Sequence, residues 1–168
     1  MSKKLKPRVI RVVGEINEEA YLSFSRKLAF FENQDKDYEV IVELNSEGGT
    51  AHDALGFVGR MRNSPCFISV IAHGLVASAA VIILAYGDKR SMSREAWVMV
   101  HEDSGEVDGS TSEKEKVVLH SKRMERQWAY LLALKTTTTY EKWLQLHKDT
   151  TFLEAKECLE LGLIDEVI

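Results

Sequence analysis

Apolar positions along this chain change period in a regular way, from alternating to helical and back. Val9 to Val13 alternates with β-branched residues and predicts a strand. Glu18 to Asn33 then sets Ala20, Phe24, Leu28 and Phe31 at helical spacing, with Asn17 placed to cap it. Tyr38 to Leu44 predicts a second strand. Beyond Gly48-Gly49, Ala51 to Arg62 puts Ala54, Leu55, Val58 and Met61 on one side of a helix that Asn63-Ser64-Pro65 ends. The uncharged run from Cys66 to Tyr86 is about long enough to span a bilayer, but His73-Gly74 divides it. Phe67 to Ala72 is short and β-branched like a buried strand, and Ser78 to Ala85 suits a buried helix.

Short strands are expected around Arg90 to Met92 and at Trp97 to Val100, and Glu102 to Ser112 is polar enough for an exposed loop. Ser112-Glu113-Lys114-Glu115 matches a capping box opening a helix to about Lys135, with Val117, Met124, Trp128 and Leu131 on one face. The run Thr136 to Thr139 reads as a break. Thr138 with Glu141, and Thr151 with Glu154, predict caps of two further helices, the last spanning Leu153 to Leu161 and ended by Gly162. Ile164 to Ile168 closes the chain. This alternation predicts an α/β fold with a mostly parallel sheet and right-handed crossovers.

With 168 residues and 45% hydrophobic content, one domain over residues 1–168 is expected, in which 102–135 forms an exposed loop and a long handle-like helix. A net charge of -4 and the lack of a Lys/Arg stripe argue against nucleic acid as a partner. The basic start Met1 to Pro7 has no apolar segment after it, which predicts a cytoplasmic protein with no membrane association. Cys66 and Cys158 are too few for a disulfide framework or a zinc set, no phosphate-binding Gly-x-x-x-x-Gly-Lys occurs, and the histidines lack ligand spacing. No metal and no cofactor are expected. His52, His120 and His147 read as ordinary helix residues, and His73 as a buried, backbone-bonded one.

Ser78 stands in Gly74-Leu75-Val76-Ala77-Ser78-Ala79-Ala80-Val81, a hydroxyl between two apolar runs. A serine nucleophile needs a base, a group to orient that base, and donors aimed at the developing oxyanion. At the first turn of a helix, the Ala79 amide would be an orphan donor for that oxyanion. Gly48-Gly49 can supply a second donor, because glycine lets the backbone approach a substrate closely. His101, at the end of the apolar strand Trp97 to Val100, is the candidate base at a sheet edge. Asp149 is the favoured acid, with Asp103 and Asp88 as weaker rivals.

At these residues the chain resembles the Clp protease proteolytic subunit, ClpP, and its phage and signal-peptide-peptidase relatives. The resemblance is carried by Ile10 to Glu15, by Asn45-Ser46-Glu47-Gly48-Gly49 for the family's Asn-Ser-Pro-Gly-Gly loop, by Gly74 to Ala80, and by Val98-Met99-Val100-His101. Phe152 to Glu157 and Glu160 to Asp165 match the C-terminal signature. It implies a crotonase-like spiral of β-β-α units, peptide-bond hydrolysis through Ser78 and His101, and an oxyanion hole from the Gly49 and Ala79 amides. It also implies homo-oligomers, heptameric rings or stacked rings, with unfolded protein or peptide as substrate and an ATP-dependent unfoldase as partner. Glu47, Ala80 and Glu102-Asp103 depart from the family pattern. Aligned on Phe152, Leu146 falls opposite the family's aspartate, and a gap of three residues brings Asp149 there. Two other readings follow: a catalytically silent ring subunit, and an acyl-CoA enzyme of the related crotonase fold.

Overall fold

The computed structural model describes residues 7–34, 37, 39–102 and 108–168. The basic segment 1–6, the Tyr38 start of the second expected strand and positions 103–107 of the acidic loop lie outside the described residues. The chain runs β1 (Arg8–Ile16), α1 (Glu18–Gln34), β2 (Val40–Gly49), α2 (Ala51–Arg62), β3 (Ile68–Ala77), α3 (Ala80–Ala85) and β4 (Lys89–Met92). It continues through β5 (Trp97–Val100), α4 (Thr111–Ala133), α5 (Tyr140–Lys148), β6 (Thr151–Glu154), α6 (Ala155–Glu160) and β7 (Glu166–Val167).

Period-two burial builds the strands: Val40, Val42 and Leu44 are fully covered, with Ile41 and Glu43 between them only half-covered. The seven strands form one sheet in the order β1-β2-β3-β4-β7, with β5 beside β3 and β6 beside β5. Every pairing is parallel except β5 with β6, so the fold is α/β with a mostly parallel sheet, as the alternation predicts.

Strand β3 serves two neighbours in turn. Ser69 to Ala72 pair with β4, and Leu75 to Ala77 pair with β5. The switch occurs at Gly74, whose φ of +56° is left-handed and where a Cβ would come within 2.9 Å of the Asn45 side chain. Asn45 Oδ1 accepts the Leu75 amide at 3.2 Å, and the β2–β3 register shifts alongside. The expected break at His73-Gly74 is therefore a bend within one strand. It carries the chain on to Ala77 and delays the helix from Ser78 to Ala80.

All six residues of α3 are buried, and the helix packs against β2, β3, α2 and α4. On the same core, Phe24 of α1 lies 4.7 Å ring to ring from Phe57 of α2. Glu32 of α1 takes two hydrogen bonds from Arg60 of α2 and one from Ser64. Arg60 holds the Glu32 carboxyl below the usual carboxylate range against the opposing pull of burial.

Three caps differ from expectation. The capping box of α4 is Ser110 with Glu113, a register earlier than Ser112 with Glu115. Thr139, not Thr138, caps α5 by accepting the Lys142 amide, while Thr138 Oγ1 donates to the Leu161 carbonyl at 2.8 Å. Thr151 to Glu154 is not a cap but strand β6, paired antiparallel with β5; the box that opens α6 is Glu154 with Glu157. The C-terminal signature acts as a junction. Asp165 Oδ2 accepts the Arg90 main-chain amide at 2.8 Å, and the Arg90 guanidinium reaches Asp165 and the carbonyls of Lys135 at 2.7 Å and Gly162 at 2.9 Å.

Candidate active site

Strands β2, β3 and β5 run parallel and finish at one edge of the sheet, where ligands of such folds gather. Gly48 and Gly49 end β2, Ser78 follows β3, and His101 follows β5. The Ser78 amide donates to Met99 O at 2.8 Å, which extends the β3–β5 ladder by one bond and aligns the two strand ends. His101 Nε2 then lies 2.9 Å from Ser78 Oγ.

The backbone at Ser78 is left-handed, with φ +52°. A non-glycine residue held there costs on the order of 1–3 kcal/mol, and such strain gathers where a side chain must be presented in one direction. Here it turns the chain from strand to helix within Ser78 and Ala79 and projects the hydroxyl to the histidine.

Gly48 closes over this turn. Its φ is +101°, and a Cβ there would sit 2.7 Å from both Ala77 O and Ser78 Cβ. Only glycine lets the loop lie on the serine. The Gly48 amide is taken by Ser46 Oγ at 3.0 Å, and the Thr50 amide by Ile16 O at 2.8 Å. Between them the Gly49 amide is the loop's candidate oxyanion donor. Ala79 supplies the other from the N-cap of α3, outside the intrahelical ladder. Both residues line the same cavity as Ser78 and His101, with a volume of about 490 Å³.

Trp128 and Met124 of α4 give that cavity an apolar wall, while Glu47, Glu102 and Glu125 face it without a Lys or Arg among the lining residues. His52 of α2 and His120 of α4 stack across it, ring centroids 5.5 Å apart and planes 6° from parallel. Among the described residues, no group of three or more His, Cys, Asp or Glu side chains is arranged to hold a metal ion. Both cysteines are free and buried, and burial pushes the Cys158 thiol up to about 12, so it carries no thiolate at neutral pH.

The expected acids are placed differently from one another. Asp149 is exposed at the C-cap of α5, and its two carboxylate oxygens accept from Gln145 Nε2 at 2.8 and 2.7 Å. Among the described residues, no carboxylate is hydrogen-bonded to His101. Asp88 accepts the Ile68 amide at the opposite end of β3, a strand length of on the order of 30 Å from Ser78. Asp103 lies outside the described residues. His73 is half-buried, and its partner is a side chain, Ser93 Oγ at 2.7 Å, not the backbone.

His147 belongs to the site and was not expected there. It is 8% exposed, lines the cavity with Ser78 and His101, and contacts Trp143 O through Nδ1 at 2.7 Å. A signal for it exists in the sequence: Trp143, Leu146 and His147 follow i, i+3, i+4, which puts the histidine on the apolar face of α5.

Among the described residues, no helix is long and apolar enough to cross a membrane. A family model described as Clp protease matches residues 1–168.

Proposed function

Because the chain belongs to the Clp protease family, we propose that it hydrolyses peptide bonds with Ser78 as nucleophile and His101 as base. The single observation that carries this reading is the 2.9 Å separation of Ser78 Oγ and His101 Nε2. His101 Nε2 takes the hydroxyl proton as Oγ attacks the scissile carbonyl carbon, and the oxyanion is received by the Gly49 and Ala79 amides. Collapse expels the amine, which takes the proton from His101 and leaves an acyl group on Oγ. Water, deprotonated by His101, then attacks the ester, and as the second product leaves with its new carboxyl group His101 returns the proton to Ser78 Oγ.

The resemblance makes Asp149 the acid of a triad. Thr151 pairs with Val100, the residue before His101, so the end of β5 lies beside a residue two positions from Asp149. Release of the Gln145 amide would free that carboxylate for His101. The Asp149–Gln145 contact equally favours a second reading, a ring subunit whose catalytic group is not engaged.

Assembly into a ring, heptameric and stacked in the family pattern, is part of the same proposal, as are cytoplasmic action and delivery of unfolded substrate by an ATP-dependent unfoldase. Val117, Val118 and Leu119 in the exposed first half of α4, with Tyr130 and Leu134 near its end, support a subunit contact there. A fluorophosphonate probe tests the core of the reading. The native oligomer is expected to gain one adduct per chain at Ser78, lost in Ser78→Ala, and to cleave fluorogenic peptides. A folded, assembled wild type that takes no label would establish the silent subunit instead.

A further inference from the structure

Helix α4 sorts its charges between two faces. Lys114, Lys116, Lys122, Arg123 and Arg126 are exposed, and none of them lines the cavity that holds Ser78 and His101. Glu125 does line it, half-buried beside Met124 and Trp128 on the face that continues into the buried Ala129 and Leu132. Glu125 precedes Trp128 by three residues and Met124 precedes it by four, so carboxylate, thioether and indole share one turn of the cavity wall.

Two more carboxylates reach the cavity from other elements. Glu47 directly precedes Gly48 in the glycine loop, and Glu102 directly follows His101. Both stand where the chain departs from the family pattern, so the charge they bring is a property of this chain. Among the described residues none of the three enters an ion pair, and no Lys or Arg lines the cavity.

The chemistry of that wall selects its occupant. Lys and Arg carry a cationic head on an apolar stem, and such a stem gains by lying on Met124 and Trp128 while the head meets the indole face and the carboxylate. An acidic substrate side chain would instead enter a cavity already bordered by three like charges. We propose that the cavity selects substrates with Arg or Lys beside the scissile bond, the stem against Met124 and Trp128 and the head at Glu125, with Glu47 and Glu102 adding to the attraction. The proposal rests on the Ser78–His101 reading for the reaction and names the substrate class of that site. Arginine is the better fit, because its planar guanidinium can pair with a carboxylate through two hydrogen bonds and stack on an indole.

Internally quenched peptides that differ at one residue test this in the assembled full-length protein. That residue is arginine, citrulline, which keeps the shape and loses the charge, or glutamate. The arginine peptide should exceed the citrulline peptide about ten-fold in kcat/KM, with glutamate lowest, and mass spectrometry should place the cut next to the arginine. In Glu125→Gln the arginine-to-citrulline ratio should fall below about two-fold, and in the wild type it should shrink as salt is raised. Binding gives a reading that needs no catalysis: in Ser78→Ala, fluorescence anisotropy of the labelled peptides should show the same order, lost when Glu125→Gln is added. A wild-type ratio near one in cleavage, or equal binding to Ser78→Ala, overturns the proposal and leaves the peptidase reading intact, whether or not Glu125→Gln folds. A full ratio in folded Glu125→Gln overturns it as well. If no peptide is cleaved yet arginine is bound in preference through Glu125, the cationic selectivity stands and the peptidase reading falls.

Discussion

The Arg90 junction and the Ser78 cavity lie at the margins of one sheet and both gather polar groups, but they treat them in opposite ways. At the junction, the Arg90 amide and guanidinium meet a carboxylate and two carbonyls, and the Asp165 carboxylate is fully engaged. Around Ser78, by contrast, a residue in left-handed backbone, the Ala79 amide at the N-cap of α3 and the side chains of His101 and His147 border an open cavity, and among the described residues no carboxylate is bonded to His101. A matched network rigidifies the fold it joins, whereas unmatched donors and acceptors in a cavity store interaction free energy for a substrate or transition state. The first region should therefore report on stability and the second on chemistry.

Substitutions can break that division, and the largest expected effect is at the loop over the serine. Gly48→Ala would drive a methyl to 2.7 Å from Ala77 O and Ser78 Cβ, so the loop must lift and carry the Gly49 amide away. A loss of ~10²–10³ in kcat is expected from a misplaced oxyanion donor, together with a destabilisation on the order of 1–3 kcal/mol because alanine is strained at φ +101°. Steady-state kinetics per folded chain beside a denaturant melt checks this; kcat retained in the folded variant would remove the loop from the oxyanion account.

At the junction the order reverses. Arg90→Met leaves the Lys135 and Gly162 carbonyls and the Asp165 carboxylate short of donors, at a cost on the order of 2 kcal/mol in denaturant unfolding, while fluorophosphonate labelling per folded chain is retained. A pH signature accompanies it. Burial raises the Asp165 pKa, but the Arg90 hydrogen bonds and charge more than offset this and leave it depressed. A depressed carboxylate contributes stability that is complete above its unfolded pKa and lost as pH falls through the folded one. The wild-type advantage over Arg90→Met should thus shrink below about pH 4, measured by unfolding at stepped pH. A gap unchanged down to pH 2 would show that the ion pair is not its source.

The smallest effect sharpens the comparison from inside the cavity. Ser78→Gly and Ser78→Ala both lack the hydroxyl, yet only glycine is at ease at φ +52°. The glycine variant should be the more stable by roughly 1 kcal/mol, read from paired denaturant melts. Equal stabilities would remove the strain from the account.

Periodicity made the helices and most strands legible because a residue's face follows from local geometry alone. It failed at Thr151 to Glu154, where four residues are too few to show an alternating pattern and Thr-x-x-Glu mimics a cap. It failed again at Gly74, where a break in the apolar run is a bend that only the change of neighbour from β4 to β5 explains. In the site, Ser78, His101 and the Gly48-Gly49 loop were readable because each ends an apolar run at a strand edge. Asp149 was readable only as a position along the chain, and its partner, Gln145, depends on how the end of α5 turns.

By itself, then, the order of residues determined most of the segments that become strand or helix, the buried α3, and the presence of a serine, a histidine and a glycine pair just after or at the ends of apolar runs. Tertiary structure decided which groups meet: the 2.9 Å contact of Ser78 with His101, the stacking of His52 on His120, and the arrival of His147 rather than Asp149 in the cavity. The reason is physical. Backbone period and burial are properties of neighbours in sequence, but a hydrogen bond between residues far apart depends on strand register and helix packing that no local segment contains.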